Sequence, residues 1–546
     1  MEWNRYQSKN YEDYVQDYSL NTLLAKVLDY KKMDALQIKQ LNKMIFHDYD
    51  LFAEGEDVIE RIQQALDQDE MICIYGDYDC DGILATTILV KAFKMLGKDV
   101  GYHIPNRFID GYGLNEQRVK QMYEKGYRLI ITVDNGIKAM DAIDLANELG
   151  IDVIVTDHHA IGEDLPNAYA FLHTKLSPEY PFKEISGGVV AYKLATKLLG
   201  RHDRYLYTLA AITTVSDMMP LLDENKAMVK KGLQLMKENH FPAIDYLLSD
   251  HPQYNTTAIG FQIGPKINSF GRLPEEVNPS LCVKYFLHGE TSNASNQTFL
   301  KTFSEKANQI NSKRQTLTNQ LYASIKPNIS LEEPFIFVYE YPIHEGLIGL
   351  LAGKFSKEYH KVTFVMNYDE VNNVYKGSAR SLPGFKLNEF LESASEDLLF
   401  YGGHALAAGF TVKYDRIPSF YQKVKEALEN VQFEEEVKDA IVIDEQDLTL
   451  NNVASLRLLE PFGQENEQPY FILEQVTLLN KTLLSGGKHI RYQFTKNNQV
   501  FGALYFNASE EIKNIPMNST VDLVGTVSLN TFRNKTDIQI ILNDIL

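Results

Sequence analysis

Cysteine is scarce in this chain: Cys73, Cys80 and Cys282 are the three among 546 residues. Three scattered thiols exclude a disulfide framework and a Cys-based zinc site, and they fit a reducing cytoplasm. Positive charge is also short. Lys plus Arg number 54 against 73 Asp plus Glu, a formal net charge of −19. Proteins that grip nucleic acid over a broad face carry a basic footprint, so phosphate contact here is expected to be local. No apolar run reaches the length of about eighteen residues that a membrane span needs. The opening stretch, MEWNRYQSKNYEDY, is polar and acidic and lacks the apolar core of a signal peptide.

What is present reads as several globular domains, because 546 residues exceed one hydrophobic core. Residues 1–70 read as polar helices. Short apolar runs then alternate with helical stretches: Met71–Tyr75, Arg128–Val133 and Asp152–Thr156 as strands, with helices near 82–96 and 138–149. That alternation predicts βαβ units and a buried parallel sheet over 71–290. Residues 205–216 read as a buried helix ending at Asp217. The stretch 293–325 has no Pro or Gly and reads as a long connecting helix, placed within 291–330. A smaller α/β domain is expected over 331–435, with FIFVYE and KVTFVM as strands. From 436 to 546 short alternating strands predict a small β-barrel of the OB type.

Clusters of acid and imidazole follow the first strands. Asp77, Asp79 and Asp81 lie in GDYDCDG, Asp134 in VDNG, and Asp157, His158 and His159 in TDHH; His173 comes later. Open parallel sheets bind ligands at the carboxyl ends of their strands, so these side chains are expected on one edge. So many carboxylates raise one another's pKa unless cations sit among them. Oxygen and imidazole donors suit Mn²⁺ or Mg²⁺, and two such ions form a clamp for phosphoryl chemistry. Singly, each cluster has a plainer reading as a turn or solvated loop. Three in order, each closing a strand, do not.

These motifs, with Ser216-Asp217, resemble in order the four motifs of the DHH phosphoesterase superfamily. Gly402-Gly403-His404-Ala405-Leu406-Ala407-Ala408-Gly409 is similar to the signature of the DHHA1 domain. Gly264-Pro265-Lys266-Ile267-Asn268, Gly271-Arg272, His344-Glu345-Gly346, Gly377-Ser378-Ala379-Arg380 and Glu460-Pro461-Phe462-Gly463 resemble RecJ-type exonucleases. The resemblance implies a DHH domain, a long helix, a DHHA1 domain and an OB-fold. It implies metal ligation of two Mn²⁺ or Mg²⁺ ions by Asp77, Asp79, Asp81, Asp134, His158 and Asp217. Asp157 would orient an imidazole, and His159 and His404 would meet the scissile phosphate. Asn268, Arg272, Ser378, Arg380, Gly402, Gly403 and His404 would bind the strand.

The activity implied is 5′-to-3′ hydrolysis of single-stranded DNA to 5′-mononucleotides, in repair and recombination. A single-strand-binding protein and a helicase are the implied partners, with no membrane. In the barrel, Lys488, His489, Arg491, Arg533 and Lys535 are candidate cations, and Tyr492 and Phe532 candidate stackers, although the alternation of strands equally places such aromatics in a core. Two alternatives are a DHH phosphodiesterase for short oligonucleotides or cyclic dinucleotides, and a catalytically inactive replication scaffold. Two departures stand out: Lys266 replaces a usual Arg, and His173-Thr174 replaces a common Asn-Pro pair.

Overall fold

The computed structural model describes residues 2–111, 113–248, 252–433, 437–532 and 535–546. The chain divides into two compact units, one of residues 47–219 and 231–434 and one of 1–46, 220–230 and 435–546.

Strand β1 (Glu2–Tyr6) opens the chain. In the larger unit, β2 (Met71–Tyr75), β3 (Gly101–His103), β4 (Tyr127–Val133), β5 (Asp152–Thr156) and β6 (Ala170–Leu172) form a wholly parallel sheet in the order β3-β2-β4-β5-β6. Ile72, Ile74, Leu129, Ile131, Val153 and Val155 are buried, as strands covered on both faces require. The helix Cys80–Met95 buries thirteen of its sixteen residues. An all-round apolar helix belongs in the interior, and this one packs against helices Gly187–Leu199 and Arg204–Ser216.

The helix Gln297–Ile325 leads onward. Its 29 residues span about 43 Å at 1.5 Å per residue. Near its start, Phe303 stacks on Phe270 and Tyr285. Near its end, Tyr322 and Ile325 join the core of a second sheet. That sheet has β7 (Phe335–Val338), β8 (Val362–Asp369), β9 (Val374–Arg380), β10 (Leu398–Gly403) and β11 (Ala407–Lys413) in the order β10-β11-β9-β8-β7. Phe364 and Phe410 on one face pack against Phe390 and Phe420 of helices Leu387–Ser393 and Ile417–Leu428. On the other face, Val365 meets Leu351 and Phe355 of helix Ile348–Tyr359.

In the smaller unit, β12 (Val437–Ile443), β13 (Phe471–Leu484), β14 (His489–Lys496), β15 (Gln499–Tyr505), β16 (Thr520–Phe532) and β17 (Lys535–Ile545) follow. Pairing of β13 with both β14 and β16 closes five strands into a barrel. The N-terminal segment is not helical throughout, as its polarity had suggested. Its first residues, β1, pair in parallel with β12, and Leu24, Val27 and Leu28 of helix Thr22–Tyr30 enter the barrel's core. A five-residue edge strand with a remote partner leaves little periodic signal.

Tyr492 is fully buried in that core, and its hydroxyl donates to the Ile512 carbonyl at 2.7 Å, so it is a core residue rather than a stacker. Lys488 and Arg491 are exposed, Lys535 pairs with Asp537, and His489 accepts the Asn507 N–H. Arg533 and the side chain of Phe532 lie outside the described residues.

Candidate active site

The acidic loops meet at the carboxyl edge of β2, β4 and β5. Asp79 caps the helix Cys80–Met95, accepting the Gly82 N–H at 3.0 Å. The loop turns so tightly that a Cβ on Gly82 would stand 2.5 Å from the Asp77 backbone nitrogen. Asp81 is buried, and its two oxygens accept the N–H groups of Gly187 and Gly188 at 2.7 Å each. These two donors open the helix Gly187–Leu199, where backbone N–H groups lack partners within the helix. Asp134 follows β4 with φ of 62°, a left-handed conformation that Asp tolerates. His158 Nε2 lies 3.0 Å from Asp134 Oδ1, 3.5 Å from Asp217 Oδ2 and 3.6 Å from Asp81 Oδ2.

Asp157 organises the histidine loop. Its Oδ1 accepts the backbone N–H groups of His158 and His159 and, at 2.7 Å, His159 Nδ1. Oδ2 accepts the Ile137 N–H at 3.1 Å. Burial would push this carboxyl up, but the His159 hydrogen bond and the imidazole charges outweigh it and hold it well below the usual range. Burial likewise opposes charge on His159, yet the Asp157 contact wins and raises it to about 9. His158 goes the other way, to about 3, through burial and then the neighbouring charge of His159. The pair is therefore split: one neutral imidazole fit to ligate, one cationic imidazole fit to meet an anion. Buried His173 braces the loop, with Nε2 3.0 Å from the His159 carbonyl and Nδ1 accepting the Lys175 N–H.

The donor set fits divalent cations. Of three groupings that bring one ligating atom per residue within 4.8 Å of one another, Asp77/Asp79/Asp134 and Asp81/His158/Asp217 share no residue, and the third, Asp134/His158/His159, overlaps both. Asp134 joins the two through His158. Asp77 Oδ1 and Asp217 Oδ2 are buried without a hydrogen-bond partner, a costly state for carboxylates unless a cation completes them. Burial, then neighbouring carboxylates, pushes Asp77, Asp134 and Asp217 far above their ordinary value and Asp81 up to about 7. Each carboxyl thus holds its proton more tightly folded than unfolded. Stability of the metal-free protein should fall as pH rises from the ordinary 3.8 towards 7. Cations would replace those protons, so saturating Mn²⁺ is expected to raise Tm more at pH 8 than at pH 5. Thermal unfolding at both pH values, with and without Mn²⁺, checks this; equal shifts would refute it.

A second cluster is cationic. Arg272 is pushed down to about 10, by burial first and then by the charges of Arg107 and Arg314, with Arg380 also contributing. Arg380 is lowered by burial and by Arg107. Arg272 donates to the Gly346 carbonyl at 3.3 Å, and Arg380 to Ser378 Oγ at 2.9 Å and the Ala379 carbonyl. Among the described residues, none of these four guanidiniums is paired with a carboxylate. In a chain of net charge −19 this concentrates positive potential at one place. Arg107, stacked over Tyr78, was not anticipated from sequence; its loop carries no motif. His404 sits near enough to His159, Lys138 and Lys175 for their charges, after partial desolvation, to lower its pKa. Gly402 and Gly403 precede it at the end of β10. Asn268 Oδ1 is occupied by the Cys80 N–H at 2.7 Å, so it braces the acidic loop. Lys266 donates to the Leu247 carbonyl and is turned into the protein.

Comparison with known proteins agrees with this layout. The family described as "DHH family, N-terminal domain" matches residues 71–216, the DHHA1 domain 332–430, and the RecJ OB domain 440–544. The chain is 33% identical over 502 residues to the single-stranded-DNA-specific exonuclease RecJ of Bacillus subtilis (strain 168), covering 90% of this chain and 63% of that relative's length. It is 29% identical to the RecJ of Dickeya dadantii (strain 3937), covering 96% of each. A crystal structure of exonuclease RecJ bound to manganese is 30% identical, with a TM-score of 0.58, over 68% of this chain and 94% of that one. RecJ of Thermus thermophilus in complex with Mn²⁺ shares the fold, with a TM-score of 0.82 at 24% identity over the whole chain and 79% of that structure's chain.

Proposed function

The chain belongs to the RecJ-type exonucleases of the DHH superfamily, and from that premise we propose that it shortens single-stranded DNA from the 5′ end, releasing 5′-mononucleotides. The observation that carries this reading is the pair of ligating triads at the sheet edge, with four guanidiniums that have no carboxylate partner among the described residues. Asp77, Asp79, Asp81, Asp134, His158 and Asp217 would hold two Mn²⁺ or Mg²⁺ ions. When bound, such ions supply an activated water and neutralise charge building on the phosphoryl oxygens.

The chain's own groups do the rest. Arg272, Arg380 and Ser378 hold the 5′ phosphate, and Gly402, Gly403 and His404 approach the next phosphate with backbone N–H groups and an imidazole. His159, kept cationic by Asp157, offers its charge to the same phosphate. Water oxygen bonds to phosphorus while the bond to O3′ of the first nucleotide breaks, and that O3′ takes up a proton. One 5′-mononucleotide leaves, and the strand keeps a new 5′ phosphate for the next round. The three free cysteines, all buried, suit a reducing cytoplasm, and among the described residues no helix is long and apolar enough to cross a membrane. A helicase and a single-strand-binding protein would supply and present the strand.

Product analysis on 5′- and 3′-labelled single strands with Mn²⁺ tests the reading. Mononucleotides should leave the 5′-labelled end first, EDTA should silence the reaction, and blunt duplex should be largely spared. Release from the 3′ end, or activity confined to dinucleotides, would overturn it in favour of a short-oligonucleotide phosphodiesterase. No cleavage at all with intact strand binding would favour a scaffold.

A further inference from the structure

Beside the phosphate-binding groups, the β9–β11–β10 face carries an aromatic ring that the reaction as described does not use. Phe400 pairs with Thr411, Gly402 with Gly409, Gly409 with Ser378, and Ala407 with Arg380. Residues directly opposite in a ladder share a face. Phe400, Gly402, Gly409, Ser378 and Arg380 therefore stand on one side, while Tyr401 and Phe410 stand on the other. Phe400 is 63% exposed, unlike Phe410, which is 2% exposed in the core. Its Cζ lies 3.9 Å from where a Gly402 Cβ would be, so the ring rests beside a patch of sheet without side chains. Among the described residues it has no aromatic partner. A ring this exposed, on the same face as Ser378 and Arg380, is open to a ligand that those polar groups hold.

We propose that Phe400 is a stacking platform for a base of the substrate strand on the 3′ side of the scissile bond. The inference rests on the exonuclease reading above. Only one nucleotide precedes the scissile bond when mononucleotides are released, and it is confined between the arginine cluster and His404. Phe400 lies four residues from His404 along β10, about 13 Å at the rise of a strand. At that distance the ring meets the strand that is still to be cut. Every base offers a π-face, so such a contact holds the strand without reading its sequence. It would complement phosphate contacts that are concentrated near the 5′ end.

The test compares steady-state cleavage of a long 5′-phosphorylated oligo-dT and a 5′-phosphorylated dinucleotide, with Mn²⁺. Phe400→Ala is expected to raise KM for the long strand about tenfold with kcat changed less than about twofold. The dinucleotide, too short to reach the ring, should be cut as by the unaltered protein. Phe400→Trp, which keeps a π-face, should restore the KM. An unchanged KM on the long strand, or an equal rise on the dinucleotide, would overturn the assignment. If the unaltered protein fails to degrade the long strand from its 5′ end, the exonuclease reading itself falls, and this inference with it.

Discussion

Asp134→Asn is expected to lower single-strand cleavage by at least about 10³-fold, several kcal/mol of lost charge stabilisation. Asp134 belongs to two of the three groupings and lies 3.0 Å from His158, which completes the remaining one with Asp81 and Asp217, so its charge serves both cation positions. Asn is the apt replacement, because it tolerates the φ of 62° that Asp134 adopts. The backbone should then stay in place while the charge is removed. Strand binding should survive, since the cluster of Arg107, Arg272, Arg314 and Arg380 is untouched. Single-turnover cleavage with Mn²⁺, read beside fluorescence anisotropy on the same strand, separates the two. Cleavage within tenfold of normal would remove Asp134 from the centre of the chemistry.

Gly187→Ala should damage the same centre without removing any ligand. A Cβ there would stand 2.7 Å from Asp134 Cβ and 3.0 Å from Asp134 Oδ1. The helix start would have to move, and with it the two N–H groups that fix Asp81. Groups that orient metal ligands typically change metal affinity 10- to 100-fold when altered. The Mn²⁺ concentration for half-maximal activity should therefore rise by about that range, with saturating activity partly recovered. Circular dichroism should show an intact fold, because the displacement is confined to the first turn of the helix Gly187–Leu199. An unshifted Mn²⁺ titration would mean that Asp134 and Asp81 absorb the methyl group without consequence.

The catalytic half of this architecture was legible because its signals are local. The strands Met71–Tyr75, Tyr127–Val133 and Asp152–Thr156 are nearly unbroken apolar runs, and each is followed at once by its acidic loop. One topological rule then brings the loops together. The barrel was legible in its alternation of short strands, but not which side of β14 faces inward: Tyr492, a candidate stacker by sequence, is buried together with Phe494. What escaped were contacts set by tertiary placement. Gly187 and Gly188 act through backbone N–H groups, which leave no mark in a residue type. Arg107 acquires its role from Arg272, which lies far along the chain. Asn268, grouped by resemblance with strand-binding residues, also spends its acceptor on the Cys80 N–H. His173, a departure from the family's usual pair, is accounted for by its bonds to His159 and Lys175.

The pairing of β1 with β12 ties the order of folding to the order of synthesis. Residues 2–6 emerge long before the strand they join, which begins at Val437. At 5–20 residues per second, translation would keep them waiting roughly 20 to 90 seconds. During that interval the apolar side of Thr22–Tyr30 has no core to enter. The parallel-sheet unit, complete in sequence by residue 434, can fold ahead of it. A ribosome-bound chain halted before Val437 should accordingly present a protease-resistant catalytic unit with a cleavable leading segment, and that segment should become resistant only after the barrel strands are released.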